Sequence, residues 1–148
     1  MDETRATPTS VKLVISSEVR LVDLVHAASE RMAALAGFDD DDSLNVGLAV
    51  REAVINAIIH GNREDPALKV NVTISAASDG LRARVWDQGE GFDPGAEPNP
   101  TEGENLLKSS GRGLLLIRAF VDEVEFRRRK GRGTEVVLVK RRNESSAN

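Results

Sequence analysis

The chain has 148 residues, of which 40% are apolar and 30% are charged, and its formal net charge is −4. This length suits one domain with a substantial hydrophobic core. Cysteine is absent, which excludes disulfides, thiolate metal sites and a cysteine nucleophile. The acidic balance argues against nucleic acid as a direct partner.

The ends of the chain are polar. The first ten residues, MDETRATPTS, lack the apolar stretch of a signal peptide. No apolar run approaches the ~18 residues that a membrane-spanning helix needs. We therefore expect a cytoplasmic protein without membrane contact, in which flexible tails at residues 1–9 and 143–148 flank a single domain at residues 10–142.

The first half of the chain predicts one strand and two helices. Residues 11–15 alternate as in a strand, and residues 18–36 have the apolar spacing of a helix, with Val19 and Leu35 near the ends of its buried stripe. A second helix is predicted at about residues 43–60. We interpret the acidic run just before it as helix caps rather than as a metal site, because the helix dipole favours negative charge there.

The middle of the chain predicts a β-hairpin followed by a long loop. Residues 70–74 and 81–85 alternate on either side of a Ser78-Asp79-Gly80 turn. Residues 88–112 contain several Gly and Pro and lack apolar periodicity. A segment of this kind in a compact domain is typical of a functional loop, and we expect residues 93–110 to form a lid.

A short helix over residues 113–120 and a last hairpin with its turn at residues 130–133 complete the series. This order predicts an α+β fold, a two-layer sandwich whose mixed, mostly antiparallel sheet carries helices on one face. The arginine-rich last hairpin lacks interleaved aromatic residues for stacking bases. We interpret it as a solvated sheet edge that resists edge-to-edge pairing, with an acidic protein partner as the second interpretation and nucleic acid as a distant third.

Polar residues interrupt the second helix at one position per turn. Glu52, Asn56 and His60 are four residues apart and share one helical stripe. The rest of this helix is apolar on nearly every side, and a buried helix does not carry an acid without a reason. Glu52 can accept or orient a proton, and Asn56 can supply an oxygen to Mg²⁺. The alternative is a solvated helix face, and for His60 we favour capping of the last carbonyls.

Asp87 ends an apolar strand. By strand parity it lies on the same face as Leu81, Ala83 and Val85. A carboxylate that points toward the buried layer needs a partner. Asp87 also opens a loop with alternating glycines. Glycine loops that expose backbone N–H groups, next to an acid and an amide, suit a Mg²⁺–polyphosphate site, so we predict ATP binding.

Gly-x-Gly turns recur at Gly111-Arg112-Gly113 and Gly131-Arg132-Gly133. The first precedes a predicted helix whose N-terminal N–H groups and dipole could hold phosphate. We interpret the second as a hairpin turn. No glycine pattern in the chain fits a P-loop, and position 94 is proline where a dinucleotide fingerprint requires glycine.

Four segments in this order resemble the N, G1, G2 and G3 boxes of the GHKL (Bergerat) ATP-binding fold: REAVINAIIHGN, DQGEGFD, GRGLLLIRAFVDEVEF and GTEVVL. That fold is shared by histidine kinases, DNA gyrase B, Hsp90 and MutL. The first and third segments are most similar to those of the small anti-sigma-factor serine kinases of the RsbW and SpoIIAB type. The resemblance covers roughly residues 10–141.

The resemblance implies roles for the matching residues. Glu52 would act as the catalytic base or orient the nucleophile, and Asn56 would bind Mg²⁺. Asp87 would accept a hydrogen bond from the adenine amino group, with Thr134 near the adenine. The other nucleotide-binding positions bring backbone or positive charge to the ligand, and they are Gly89, Gly91, Gly111, Arg112 and Gly113. The lid would be ordered by nucleotide.

The resemblance also implies an activity and partners. The activity is phosphorylation of a serine on a STAS-type anti-anti-sigma protein. The partners are that protein, an RNA polymerase sigma factor that the same domain sequesters, and a second copy in a homodimer. The alternative is a nucleotide-responsive binding module with little or no kinase activity, and the intact Glu52 favours the enzyme. A histidine-kinase fragment is a third interpretation, but no segment resembles a dimerisation helix pair with a phosphoacceptor histidine.

Overall fold

The computed structural model describes residues 8–89, 113–128 and 133–142. The strands are β1 (Thr9–Ser16), β2 (Lys69–Ala77), β3 (Gly80–Trp86), β4 (Glu123–Arg128) and β5 (Thr134–Arg141). The α-helices are α1 (Val22–Leu35), α2 (Asp40–Asn56) and α3 (Gly113–Phe120). A 3₁₀ turn at Val19–Leu21 precedes α1, and a π-helical turn at Ala57–Gly61 continues α2.

The strands form one sheet in the order β1-β2-β3-β5-β4, and every neighbouring pair is antiparallel. In this register Val72 lies opposite Val85, and Val85 lies opposite Val136. Because side chains alternate along a strand, such rows put the apolar residues on one face. The helices cover that face: α1 packs against α2 and β2, and α3 packs against α2. This is the expected α+β sandwich.

The core between the sheet and the helices is built from branched aliphatic side chains. The largest fully buried residues include Val25, Val50, Val54, Ile58, Ile74, Ile117 and Leu138. Burial of each such side chain stabilises the fold by roughly 1.5–3 kcal/mol. Since α2 contributes residues along much of its length, the core holds this helix firmly against the sheet.

The helix boundaries differ from the predictions in two places. Residues 19–21 form the 3₁₀ turn, so α1 begins at Val22, and the predicted stripe ends Val19 and Leu35 are 43% and 60% exposed. Helix α2 begins earlier than predicted because Asp39 caps it, with its carboxylate accepting the N–H of Asp42 at 2.8 Å. The capping interpretation of the acidic run is thereby confirmed.

Some predictions lie outside the described residues, among them the lid at residues 93–110 and most of the last hairpin turn. Strand β1 begins at Thr9, which the prediction assigned to the N-terminal tail. The described part of the chain contains no helix long and apolar enough to cross a membrane.

Candidate functional site

One end of the sheet brings together the π-helical turn after α2, the residues after β3 and the start of β5. Asp87 lies where they meet. Its backbone N–H donates to the Thr134 carbonyl at 3.1 Å, and its carboxylate lies against Gly61. Asp87 is only 6% exposed and continues the inward row of β3 that ends in Val85. The prediction from strand parity is therefore confirmed.

The Asp87 carboxylate is buried and is held by backbone groups. Its Oδ1 accepts the N–H of Gly89 at 3.1 Å and that of Thr134 at 3.3 Å. Burial raises the pKa of Asp87 to about 6, although these two hydrogen bonds act in the opposite direction. At neutral pH the carboxylate is therefore ionised but poorly solvated. A ligand that donates a hydrogen bond to it would relieve that cost.

Glycines let the surrounding backbone close on Asp87. A Cβ atom on Gly61 would lie 2.4 Å from Asp87 Oδ2, and one on Gly89 would lie 1.6 Å from the Gly61 carbonyl oxygen. Gly133, with φ of +84°, approaches the Asp87 carbonyl so closely that a Cβ would lie 2.0 Å away. Any side chain at these positions would push the segments apart.

The sequence analysis singled out Gly89 but missed Gly61 and Gly133. Gly61 has no predicted role of its own, and Gly133 is predicted only as part of a hairpin turn. Both have a structural role there, yet both also lie against Asp87: Gly61 against its carboxylate and Gly133 against its backbone carbonyl. The available signal was their position: Gly61 lies within the segment REAVINAIIHGN and Gly133 begins the segment GTEVVL, two of the four that resemble nucleotide-binding boxes.

Glu52 and Asn56 form a pair near the C-terminal end of α2. Asn56 is 5% exposed, and its Nδ2 donates to the Glu52 carbonyl at 2.8 Å and to Glu52 Oε2 at 2.9 Å. These bonds fix which way the amide faces. Its Oδ1 is buried and has no hydrogen-bond partner among the described residues. A buried acceptor without a partner is costly, so this oxygen is a candidate ligand contact.

The unmatched oxygen fits Mg²⁺. This ion takes oxygen ligands and commonly reaches a protein through one or two side chains, with phosphates and water completing its shell. Within residues 8–89, 113–128 and 133–142 no group of three or more His, Asp or Glu side chains could hold a metal on its own. Asn56 Oδ1 is therefore suited to an ion that arrives with a polyphosphate.

Of the remaining predicted site residues, two are described by the structure and three are not. Thr134 is buried beside Asp87. Gly113 is the first residue of α3 and is buried. Gly91, Gly111 and Arg112 lie outside the described residues.

The interpretation of His60 as a helix cap is wrong. Among the described residues no hydrogen bond joins His60 to a helix carbonyl. Two of the last carbonyls accept backbone groups instead, because Asn62 N–H donates to the Ala57 carbonyl at 2.8 Å and Glu64 N–H donates to the Ile58 carbonyl at 2.7 Å. The π-helical turn brings these donors into place, and sequence periodicity did not predict that turn. Arg63 and Glu64 both have positive φ, which directs the chain back toward β2.

Comparison with known proteins identifies the family of the chain. The family model described as the histidine kinase-like ATPase domain matches residues 15–140. An anti-sigma F factor from Clostridium beijerinckii is 37% identical over 108 residues, which cover 70% of this chain and 73% of the relative. A serine-protein kinase RsbW from Staphylococcus epidermidis is 27% identical over 134 residues, covering 86% and 84% of the two chains.

A solved structure shares the fold. It contains the RsbU and RsbW domains of a Mycobacterium tuberculosis protein, and it superposes with a TM-score of 0.64 at 23% sequence identity. The match covers 91% of this chain and 33% of that one. At this identity the similarity supports the two-layer architecture and carries no residue roles.

Proposed function

Because the chain belongs to the histidine kinase-like ATPase domain family, we propose that it is a serine-protein kinase of the anti-sigma-factor type that uses Mg²⁺–ATP. The observation that carries ATP binding is the buried Asp87 carboxylate, enclosed by glycines and two backbone N–H groups. The relatives named as an anti-sigma F factor and as serine-protein kinases support the kinase assignment.

Asp87 would select adenine. An ionised carboxylate is an acceptor, and adenine presents its exocyclic amino group as a donor where guanine presents an oxygen. Thr134 would line the same pocket, and Gly89 and Gly91 would let the backbone approach the base. We therefore expect a preference for ATP over GTP.

Asn56 would hold Mg²⁺ through Oδ1, the buried acceptor without a partner. The bound ion would neutralise charge on the phosphates. Gly111 and Arg112, together with Gly113 at the start of α3, would contact the phosphates through backbone N–H groups and the arginine charge.

Glu52 would accept the proton of the nucleophile. The serine Oγ attacks the γ-phosphorus, its proton passes to the Glu52 carboxylate, and the bond from the γ-phosphorus to the bridging oxygen breaks to leave ADP. The Asn56 amide holds Glu52 Oε2 at 2.9 Å, which orients the base. Such a site supplies positioning and charge neutralisation, so the rate would depend on a docked partner that presents the serine.

The partners are part of the same proposal. A STAS-type anti-anti-sigma protein would present the serine, and a sigma factor would bind the same domain. We propose that the protein acts as a homodimer in the cytoplasm, without direct contact to nucleic acid. The names of the relatives support the sigma-factor and serine-kinase parts of this proposal, and the acidic charge balance supports the absence of direct nucleic-acid contact.

Incubation with γ-labelled ATP and the STAS protein from the same genome tests the proposal. We expect slow hydrolysis of ATP alone and rapid transfer of label to the STAS protein. A STAS variant whose candidate serine is alanine is the control and should stay unlabelled. If nucleotide-dependent binding to the STAS protein or a sigma factor occurs without labelling, the chain is a binding module and the kinase assignment is wrong.

A further inference from the structure

Asn62, directly after the π-helical turn, uses both ends of its side chain inside the protein. It is 1% exposed. Its Nδ2 donates to Ser17 Oγ at 2.7 Å and to the Lys69 carbonyl at 3.0 Å, and its Oδ1 accepts the N–H of Gln88 at 2.8 Å. One amide therefore joins the residues after β1, the start of β2 and the loop after β3.

Gln88 also joins the loop after β3 to the start of β2 through its own side chain. Its Oε1 accepts the N–H of Lys69 at 2.6 Å. Two hydrogen bonds thus hold the residue between Asp87 and Gly89, one through its backbone and one through its side chain. This loop has little freedom, because Gly89 already packs against the Gly61 carbonyl with no room for a Cβ.

We propose that Asn62 is a positioning residue for the nucleotide site. It fixes the loop of residues 87–89 against the end of the helix that carries Glu52 and Asn56, without having to touch the nucleotide. The inference rests on the proposed function, and it adds a residue that none of the four box resemblances assigned a role. A displacement of this loop would move the Asp87 carboxylate relative to the Asn56 amide, and one ligand must satisfy both.

Ser17 provides a matched control within the same network. It is 2% exposed, and its Oγ also donates to the Leu68 carbonyl at 2.8 Å. Ser17→Ala therefore removes two buried hydrogen bonds but leaves the bond from Gln88 N–H to Asn62 Oδ1 intact. If the network serves only stability, Ser17→Ala and Asn62→Ala should affect nucleotide binding alike.

The test measures ATP affinity by calorimetry and stability by urea unfolding for each variant. Asn62→Ala should bind Mg²⁺–ATP roughly tenfold more weakly, as the loss of one hydrogen bond to the loop implies. Ser17→Ala should lower the urea midpoint and keep the wild-type affinity. Asn62→Asp keeps the acceptor for Gln88 N–H and loses the two Nδ2 donations, so it should lose stability and bind ATP nearly as well as wild type.

The split between affinity and stability decides the outcome. Wild-type affinity in folded Asn62→Ala, or affinity that falls in all three variants in step with stability, would overturn the proposal. If Asn62→Ala does not fold, Gln88→Ala replaces it. This substitution removes the hydrogen bond from Lys69 N–H to Gln88 Oε1, which holds the same loop, and Gln88 is only half-buried. Unchanged affinity in Gln88→Ala would then overturn the proposal.

A readout without nucleotide separates this inference from the proposed function. Trp86 is the only tryptophan and directly precedes Asp87. Its emission in the free protein should change in Asn62→Ala and stay as wild type in Ser17→Ala. A wild-type protein that fails to bind ATP, together with this emission pattern, would refute the proposed function alone. Identical emission in wild type and Asn62→Ala would refute the positioning role alone.

Discussion

Two carboxylates are buried at nearly the same level of the sheet, yet their surroundings are opposite. Glu135 is 3% exposed, and its oxygens lie 2.9 Å from Arg84 Nε and 4.0 Å from Arg127 Nη1. Asp87 is 6% exposed, and within the described part of the chain backbone N–H groups, not arginine or lysine, hold its Oδ1. Glu135 has counter-charges within the protein, whereas Asp87 has none among residues 8–89, 113–128 and 133–142.

The difference shows how a buried polar group can point to function. A buried charge with protein counter-ions is explained by the fold, because pairing with them offsets part of its desolvation cost. A buried charge with only neutral donors raises the energy of the folded protein, as the pKa of about 6 for Asp87 expresses. Asn56 Oδ1, buried without a partner, belongs with Asp87 in this respect.

The largest expected effect contrasts Glu52 with Glu135. Glu52→Gln should keep nucleotide binding and lower phosphoryl transfer to the STAS partner by about 10²–10⁴-fold, because the proton acceptor is gone. Single-turnover transfer of labelled phosphate measures it. Glu135→Gln should transfer at the wild-type rate, since that carboxylate lies in an ion pair. Equal rates in Glu52→Gln and wild type would remove Glu52 from the mechanism.

The next effect concerns pH and Asp87. Because the pKa of Asp87 rises from its ordinary value of 3.8 to about 6 on folding, its carboxyl favours folding when protonated. This contribution is present below pH 4 and is lost as the pH rises through about 6, a change of about 3 kcal/mol. Asp87→Asn should therefore be more stable than wild type at pH 7, with the difference shrinking toward pH 4.

The same substitution should damage binding while it improves stability. Asp87→Asn turns an acceptor oxygen near the adenine amine into a donor, so ATP affinity should fall by about 1–3 kcal/mol. Urea unfolding at several pH values and calorimetry with ATP measure the two effects. A variant that loses stability at pH 7, or one that binds ATP as wild type does, would contradict the assignment.

Asn56 extends the comparison of buried polar groups to an uncharged side chain. Asn56→Ala should weaken Mg²⁺–ATP binding by about 1–3 kcal/mol because the buried acceptor is lost. Its stability should fall by about 1 kcal/mol, because the two Nδ2 hydrogen bonds to Glu52 are lost, while the helix propensity of alanine and the removal of an unpaired buried oxygen offset part of that loss. Titration with ATP in the presence and absence of Mg²⁺ measures this: the variant should lose the benefit that Mg²⁺ gives to wild type.

The smallest expected effect is the loss of stability in Glu135→Gln. Arg84 and Arg127 are 44% and 42% exposed, so water solvates them when the counter-charge is gone. We expect a loss of about 1 kcal/mol, opposite in sign to the change in Asp87→Asn at pH 7, and no change in ATP affinity. A gain in stability would mean that the arginines do not compensate Glu135 as the geometry indicates.

Much of the site follows from local rules. Strand parity alone predicts that the Asp87 side chain faces inward, because successive side chains of a strand point to opposite faces. Helical spacing put Glu52 and Asn56 on one stripe, and Asp39 was a cap because its side chain reaches the free N–H groups of the first turn. In each case the interacting atoms are only a few residues apart, so backbone geometry alone decides the outcome.

The tertiary structure decided what lies around those residues. The approach of Gly61 to Asp87, the bond from Asn62 to Gln88 and the counter-ions of Glu135 join residues that are distant in the chain. Periodicity carries no information about such contacts, because they depend on how the helices pack onto the sheet. The sequence by itself therefore determined which way the polar groups point, and only packing decided which of them find a partner within the described part of the protein and which do not.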